Sequence, residues 1–376
     1  VSTRRSARVA VGIAGLGTAF PAGVMTAREL GEHAGIPEEV VREKVGLEEK
    51  RVGSRDDRPS LLAGRAAEAA LEDASRRLGE RISPEEVDAV IYFGSPHKDY
   101  PVWMAAPRIQ NLIGAENAFA FEVAAVSAGA PVALRVAADM MAADRNLRTV
   151  VLAGASRESS LLDYGDRSAR FMFNFGDGAA AAVLRRDWPW NVILSSAFVT
   201  DGSLSEHVRV PAGGAALPTS AETVRRGLHT LTVHDLDKMK ARLDAVSLER
   251  FTGVAREAIR RSGRRPGELG FLATLHTKRS IFDAVLSQLG LDEEGSVHLD
   301  RYGHMSAVDP FVALKEGEEL GRLRDGMLAV ALSAGTGYTW AATAISWGPA
   351  GPDEGTRGKR ASGPPSPGSR TPKDGS

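Results

Sequence analysis

A chain of 376 residues exceeds what one ordinary core organises, and implies two domains or two halves of a larger one. With 25% charged residues of both signs and a net charge of −1, it has no general attraction for nucleic acid or anionic lipid. The absence of cysteine excludes disulfides, thiolate metal sites and cysteine nucleophiles, which leaves any chemistry to oxygen and nitrogen groups.

At the start, STRRSARVAVGIAGLGTAF sets arginines before an apolar run, as a short export signal does. The run is glycine-interrupted and has no small-residue cleavage pattern, so it reads as a first buried strand over residues 9–20. Within it, GLGT at residues 15–18 suggests a dinucleotide loop, but Phe20 stands where the third glycine of G-x-G-x-x-G belongs and no helix opens there. A helical pattern over 60–79 is followed by strands at 87–95 and, after a second helix over 131–146, at 148–156 and 179–186. A strand at 190–199, a helix over 248–263, a strand at 269–277, a helix over 280–290 and a strand at 326–335 complete the pattern.

Apolar strands alternating with helices predict a layered α/β protein with strands buried on both faces. The segments NLRTVVLAGASR and RLRDGMLAVALSAGTG echo each other, which fits either a duplication or two unrelated buried strands after basic turns. From Pro349 onward Pro, Gly and Ser dominate, and a disordered tail over 349–376 is expected. No window approaches the ~20 consecutive apolar residues of a membrane span. The expectation is a cytoplasmic protein with no membrane or nucleic-acid partner.

Ser127 ends an apolar run in AVSAG, just before the helix. It is one substitution from the G-x-S-x-G turn that projects a nucleophilic hydroxyl, and equally at the place of a helix N-cap. His276 and His304 both stand at strand-to-loop transitions in the second half and form a candidate pair of base and hydrogen-bond donor. The eight histidines show no H-E-x-x-H spacing, so no metal site is expected.

Further motifs follow in order: VGLEEKRV at Val45, PRIQNLIGA at Pro107, AFEVAAVSAG around Ser127, FGDGAAAAVL at Phe175, TDGS at Thr200, LHTKRSIF at Leu275, YGHMSAVDP at Tyr302 and SAGTGYTWAA at Ser333. Over positions 8 to 348 the chain resembles the ketoacyl-carrier-protein synthase III branch of the thiolase fold. The resemblance implies two duplicated βαβαβ-type halves, 1–186 and 187–348, in a five-layered α-β-α-β-α arrangement, and a homodimer. It also implies an acyltransferase that needs no resident cofactor and uses an acyl-CoA or an acyl carrier protein as substrate.

The departures from that family matter most. Where it has cysteine this chain has Ser127, His276 keeps the family histidine, and His304 replaces an asparagine. A thiol is drawn toward thiolate by a helix N-terminus, whereas a serine must hand its proton to a base as it attacks. Either His276 or His304 could supply that base. By resemblance the oxyanion is held by the amides of Ser127 and Thr336. By the same resemblance Val40 stands where the family has a tryptophan that stacks on adenine, Arg167 matches the arginine opposite it, and Tyr100 matches a residue that shapes the partner's acyl pocket.

An oxyester on serine accepts a carbon nucleophile less readily than a thioester. The expected function is therefore acyl transfer through an acyl-Ser127 intermediate, in specialised, polyketide-like metabolism. The alternatives are decarboxylative condensation of a starter unit with a malonyl thioester, and a catalytically silent partner subunit.

Overall fold

The computed structural model describes residues 9–350. Nine strands build one large sheet: β1 Val11–Ala19, β2 Ala89–Tyr92, β3 Phe119–Glu122, β4 Thr149–Ser156, β5 Gly178–Arg186, β6 Trp190–Thr200, β7 Leu269–Thr274, β8 Leu328–Gly335 and β9 Thr339–Pro349. Their order across the sheet is β7-β8-β9-β6-β1-β5-β4-β2-β3. The seven strands expected from sequence are all present. β3 and β9 were not expected.

The sheet is two copies of one pattern joined at a seam. On one side β2 runs parallel to β4, which is antiparallel to β5, which is antiparallel to β1. On the other, β7 runs parallel to β8, which is antiparallel to β9, which is antiparallel to β6. The seam is the antiparallel pairing of Gly12 with Val192. In this correspondence β4 and β8 hold the same place. They carry the two echoing segments, so the echo follows from equivalent positions in the fold.

Six helices cover and divide the sheet: α1 Pro59–Leu78, α2 Ala105–Leu112, α3 Gly129–Ala143, α4 Leu236–Arg261, α5 Arg279–Leu289 and α6 Asp309–Glu319. α1 lies on β1, β4 and β5, with α2 beside it on β2 and β3. α4 lies on β6, β8 and β9, with α5 against it. Between the halves sit α3 and α6, each touching strands of both. The result is the five-layered thiolase fold.

The core of the middle layer runs from Phe93 and Leu134 through Met305 to Phe311, all buried. The stretch Val126–Ala143 has the length and composition of a membrane span. In this fold it is a central helix, in contact with strands of both halves of the sheet.

Local chemistry explains where the sequence reading stopped short. α4 begins at Leu236 rather than at 248: the Asp235 side chain accepts from the Lys238 amide, and Leu236, Met239, Leu243 and Val246 continue the apolar stripe through the added turns and pack on the core. β9 reads TWAATAISWGP, an alanine-rich strand without a Val/Ile/Leu run, buried by its place between two other strands. Pro349 closes β9 opposite Trp190, which corrects the expected tail boundary at 349. The rest of that tail, from residue 351, lies outside the described residues.

The GLGT motif has a packing reason. A Cβ on Gly15 would stand 2.4 Å from the Ala70 carbonyl oxygen, and one on Gly17 would stand 2.2 Å from that of Ala66. These glycines let α1 press its alanine face directly onto β1.

Candidate active site

Ser127 is placed by a strained turn. After β3 the chain reaches Val126, a β-branched residue at φ 47°. Such a conformation costs of order 1–3 kcal/mol and persists only where the surroundings fix it. One 3-10 turn, Val126–Ala128, then leads into α3. The turn is held by close packing: a Cβ on Gly335, the last residue of β8, would lie 2.4 Å from the Ala125 carbonyl oxygen and 3.1 Å from the Ser127 amide nitrogen. The Ser333 hydroxyl donates to the Ser127 carbonyl at 2.5 Å.

Ser127 is buried, and its hydroxyl does not cap the helix; no side chain does. Its Oγ lies 2.9 Å from His304 Nε2 and 3.4 Å from Ser306 Oγ.

His304 completes a line of three groups. Its Nδ1 is 2.6 Å from Asp309 Oδ2, at the first turn of α6. Because Asp309 is an acceptor there, Nδ1 carries the hydrogen and Nε2 is left to accept from the Ser127 hydroxyl. Asp309 is wholly buried and also accepts from the amides of His276 at 2.8 Å and Met305 at 2.7 Å. The backbone of His304 is pinned to the FGDG segment, donating to Asn174 O at 2.8 Å and accepting from Gly176 N at 2.9 Å. The preceding Gly303 sits at φ 76°, where a Cβ would come 2.5 Å from the Asn174 carbonyl oxygen. Burial pushes the imidazole down, but the charge and hydrogen bond of Asp309 and the charge of Glu158 outweigh it, holding His304 above the ordinary histidine value.

His276 is placed differently. Its Nε2 lies 3.0 Å from the carbonyl oxygen of Gly46, so that nitrogen is a donor. Its Nδ1 then accepts from Asn174 Nδ2 at 2.9 Å. Both ring nitrogens are committed, and the hydrogen-bond partners of Ser127 Oγ are His304 and Ser306. Burial first, then the neighbouring charge of His298, lowers His276 to about 3, so it is neutral at any working pH. Of the two expected bases, the geometry puts His304 on the serine.

Three residues in this cluster were not picked out from sequence. Asp309 lies five residues after His304 in the quoted YGHMSAVDP, and that spacing was the available signal. Ser306 and Glu158 had none. Glu158 is buried and accepts from Ser95 Oγ at 2.5 Å.

Thr336 follows Gly335 in the short link between β8 and β9, beside the turn that holds Ser127. Arg167 is exposed at the start of the 3-10 turn Arg167–Met172. Tyr100 is 55% exposed, its ring edge-on to Trp103 at 5.6 Å. Among the described residues no group of three or more His, Asp or Glu side chains is arranged to hold a metal ion. A buried hydroxyl, an imidazole and a carboxylate in one line form the arrangement that removes a proton from serine as it attacks an acyl group.

Comparison with known proteins adds the family context. Residues 121–202 match 3-Oxoacyl-[acyl-carrier-protein (ACP)] synthase III, and residues 259–347 match its C-terminal part. The chain is 32% identical over 339 residues to the beta-ketoacyl-[acyl-carrier-protein] synthase III of Symbiobacterium thermophilum, covering 90% of this chain and 98% of that one. Its fold superposes on 3-oxoacyl-(acyl carrier protein) synthase III from Pseudomonas aeruginosa with a TM-score of 0.76 and 26% identity, covering 91% of this chain and all of the other. The priming beta-ketosynthase of the R1128 polyketide pathway shares the fold with a TM-score of 0.76, at 23% identity over 93% of this chain.

Proposed function

Since this chain belongs to the 3-oxoacyl-[acyl-carrier-protein] synthase III family and is an acyl-transferring enzyme of that type, we propose that it works through an acyl ester on Ser127, with His304 as base and Asp309 behind it. The observation that carries this reading is the Ser127–His304–Asp309 line, at 2.9 Å and 2.6 Å.

In the first half-reaction Ser127 Oγ attacks the thioester carbonyl while its proton passes to His304 Nε2. The backbone amides of Ser127 and Thr336 hold the oxyanion, a contribution of about 3 kcal/mol per donor in comparable sites. Collapse breaks the C–S bond, and His304 returns the proton to the departing thiolate. In the second half-reaction His304 deprotonates an acceptor hydroxyl, amine or thiol as it attacks the ester carbonyl; the bond from the acyl carbon to Ser127 Oγ breaks, and His304 returns the proton to that oxygen.

We assign the donor to an acyl carrier, with a carrier protein favoured over free coenzyme A because Val40 offers no ring to stack on adenine. Exposed Arg167 is suited to the phosphate of its arm. The setting of polyketide-like metabolism is part of the same reading.

A second reading, decarboxylative condensation with a malonyl thioester, is favoured by the synthase activity named for the relatives. The commitment of both His276 nitrogens to Gly46 and Asn174 weighs against it, since that ring has no free donor for a departing carboxylate or the resulting enolate.

The test is intact mass after incubation with acyl-CoA and acyl-carrier thioesters bearing short, branched and aromatic acyl groups. A single acyl adduct is expected, absent in Ser127→Ala. Adduct formation without carbon dioxide release on addition of malonyl thioester supports transfer, whereas release coupled to a β-ketoacyl product supports condensation. An adduct that persists in Ser127→Ala would overturn the assignment of the nucleophile.

A further inference from the structure

The motif VGLEEKRV enters the mechanism so far only through Gly46, whose carbonyl oxygen accepts from His276. Four residues on, Lys50 is wholly buried. It lies on the short strand Glu49–Arg51, which pairs with Val24–Thr26 outside the large sheet. Burying an amine is costly, and an apolar side chain of similar length would fill the same space without that cost. What such a side chain lacks is the head group. Lys50 Nζ lies 2.7 Å from the Phe173 carbonyl oxygen, 2.8 Å from that of Phe175 and 2.9 Å from the Tyr164 hydroxyl. An ammonium has three hydrogens, and each finds an oxygen here.

The two carbonyls flank Asn174, so one head group grips the chain on both sides of that residue. From Asn174 two hydrogen bonds lead to the two histidines. Its Nδ2 donates to His276 Nδ1 at 2.9 Å, and its backbone oxygen accepts from the His304 amide at 2.8 Å. Gly176 donates to the His304 carbonyl oxygen at 2.9 Å, and the Phe175 ring stands edge-on to the His304 imidazole at 5.0 Å.

The lysine strand also packs on the turn that carries His304. A Cβ on Gly303 would lie 3.0 Å from Lys50 Cβ. Arg51 donates its amide to the Tyr302 carbonyl oxygen at 3.2 Å and accepts from the Asp177 amide at 2.9 Å. Lys50 thus stands at the junction of segment 173–177 and the His304 turn.

We propose that Lys50 is a positioning residue for acyl transfer: its head group clamps the carbonyls on both sides of Asn174, and the clamped segment holds His304 Nε2 against Ser127 Oγ. This rests on Ser127 being the nucleophile and His304 its base. The clamp does not depend on the charge of the lysine. Burial lowers Lys50 to about 7 against the opposing charge of Asp177, but a neutral amine still turns two hydrogens to the two carbonyls and accepts the third bond from Tyr164. Lys50 neither gives nor takes a proton in the reaction; the Ser127 proton passes to His304 and from there to the leaving group.

The test uses p-nitrophenyl acetate as a small activated donor, whose acyl C–O bond breaks as the bond to Ser127 Oγ forms. The initial burst gives the maximal acetylation rate and the half-saturating concentration, and mass locates the acetyl group. Lys50→Met fills the space without the head group. It should acetylate about 10²-fold more slowly at saturation, the effect of misplacing a reacting group by about 1 Å, with the half-saturating concentration kept within about twofold. Lys50→Ala removes a piece the size of n-propylamine. It should be slowed likewise and regain about tenfold in burst rate when n-propylamine is added. n-Propanol, with a single hydrogen, cannot reach both carbonyls and should restore nothing.

A folded Lys50→Met that acetylates Ser127 at the wild-type rate would overturn the clamp and leave the nucleophile assignment standing. So would a folded Lys50→Ala that stays slow with the amine. If Lys50→Met does not fold, Lys50→Ala is refolded with n-propylamine present, and a burst rate unchanged after the amine is dialysed away would overturn the clamp. A wild type that carries no acetyl on Ser127 would overturn the nucleophile assignment and the positioning role with it.

Discussion

Asp309 accepts from an imidazole nitrogen and two backbone amides while wholly excluded from water. An isosteric Asp309→Asn change keeps the shape but offers an N–H where His304 needs an acceptor, and so favours the tautomer with Nε2 protonated, which cannot take the serine's proton. Acylation of Ser127 should fall about 10³–10⁴-fold with the fold retained. The remaining activity should carry a displaced pH limb. Asp309 and Glu158 raise His304, and the base must be neutral to act, so wild-type acylation climbs with pH through a value above that of free histidine. Removing the Asp309 charge lowers that value, and the rising limb moves to lower pH. Burst rates over a pH series check both outcomes; a limb that stays in place would show that Asp309 is not the partner of the base. At this scale Ser127 was legible because it closes an apolar run, and His304 because it sits in a glycine-containing turn, DRYGHM; the strand expected before His304 is absent, and its backbone makes only an isolated bridge to Phe175. Asp309 was not, since an acid before Pro310 looks like an ordinary helix start. Glu158 could not be read, because its hydrogen bond with Ser95 and its charge on His304 join residues far apart in the chain.

Elements were most legible where packing imposes continuous apolar strands, and least where small residues do the packing. β4, TVVLAGAS, is buried at every position and announces itself. β9 is as deeply buried, but is built from Ala, Thr and two tryptophans, and only its neighbours β6 and β8 make it a strand. The contact of α1 with β1 shows the same dependence. Ala66, Ala67, Ala70 and Ala74 are fully buried on one helix face, and Gly15 and Gly17 supply the space they need. In sequence the glycines suggested a nucleotide loop, a reading excluded there by Phe20 in place of the third glycine. If their role is packing, Gly17→Val must force the helix away from the strand, since its Cβ would start 2.2 Å from the Ala66 carbonyl oxygen. A loss of about 3 kcal/mol is expected, read as a lower midpoint in denaturant unfolding. Ser127 reactivity should be unchanged in the protein that remains folded, because α1 packs on the far side of the sheet from α3. A variant as stable as the wild type would refute the packing account.

For the whole molecule, one edge of the sheet is left open. β3 is the terminal strand of the N-terminal half, and its outer backbone groups have no neighbour among the described residues. Phe119 on it is 48% exposed and stacks on Phe121 at 5.9 Å. Beside it, the loop before α2 carries exposed Tyr100, Val102 and Met104. Glu122 ties this loop to β3, accepting from Lys98 Nζ at 2.6 Å and from the Ala105 amide at 2.5 Å. A flat strand edge joined to an apolar patch is a surface that single chains keep covered, and two copies meeting edge to edge would cover it by extending the sheet through a two-fold axis. This fits the expected homodimer, and Tyr100 is exposed beside the same edge. The chain should run at twice its own mass by light scattering after gel filtration at micromolar concentration. Phe119→Lys, which puts a charge on the edge without touching the buried core, should run as a single chain. It should still form the acyl adduct on Ser127, because Ser127, His304 and Asp309 all come from one chain. A monomeric wild type would leave the apolar edge without this explanation, and a dimeric Phe119→Lys would move the interface elsewhere.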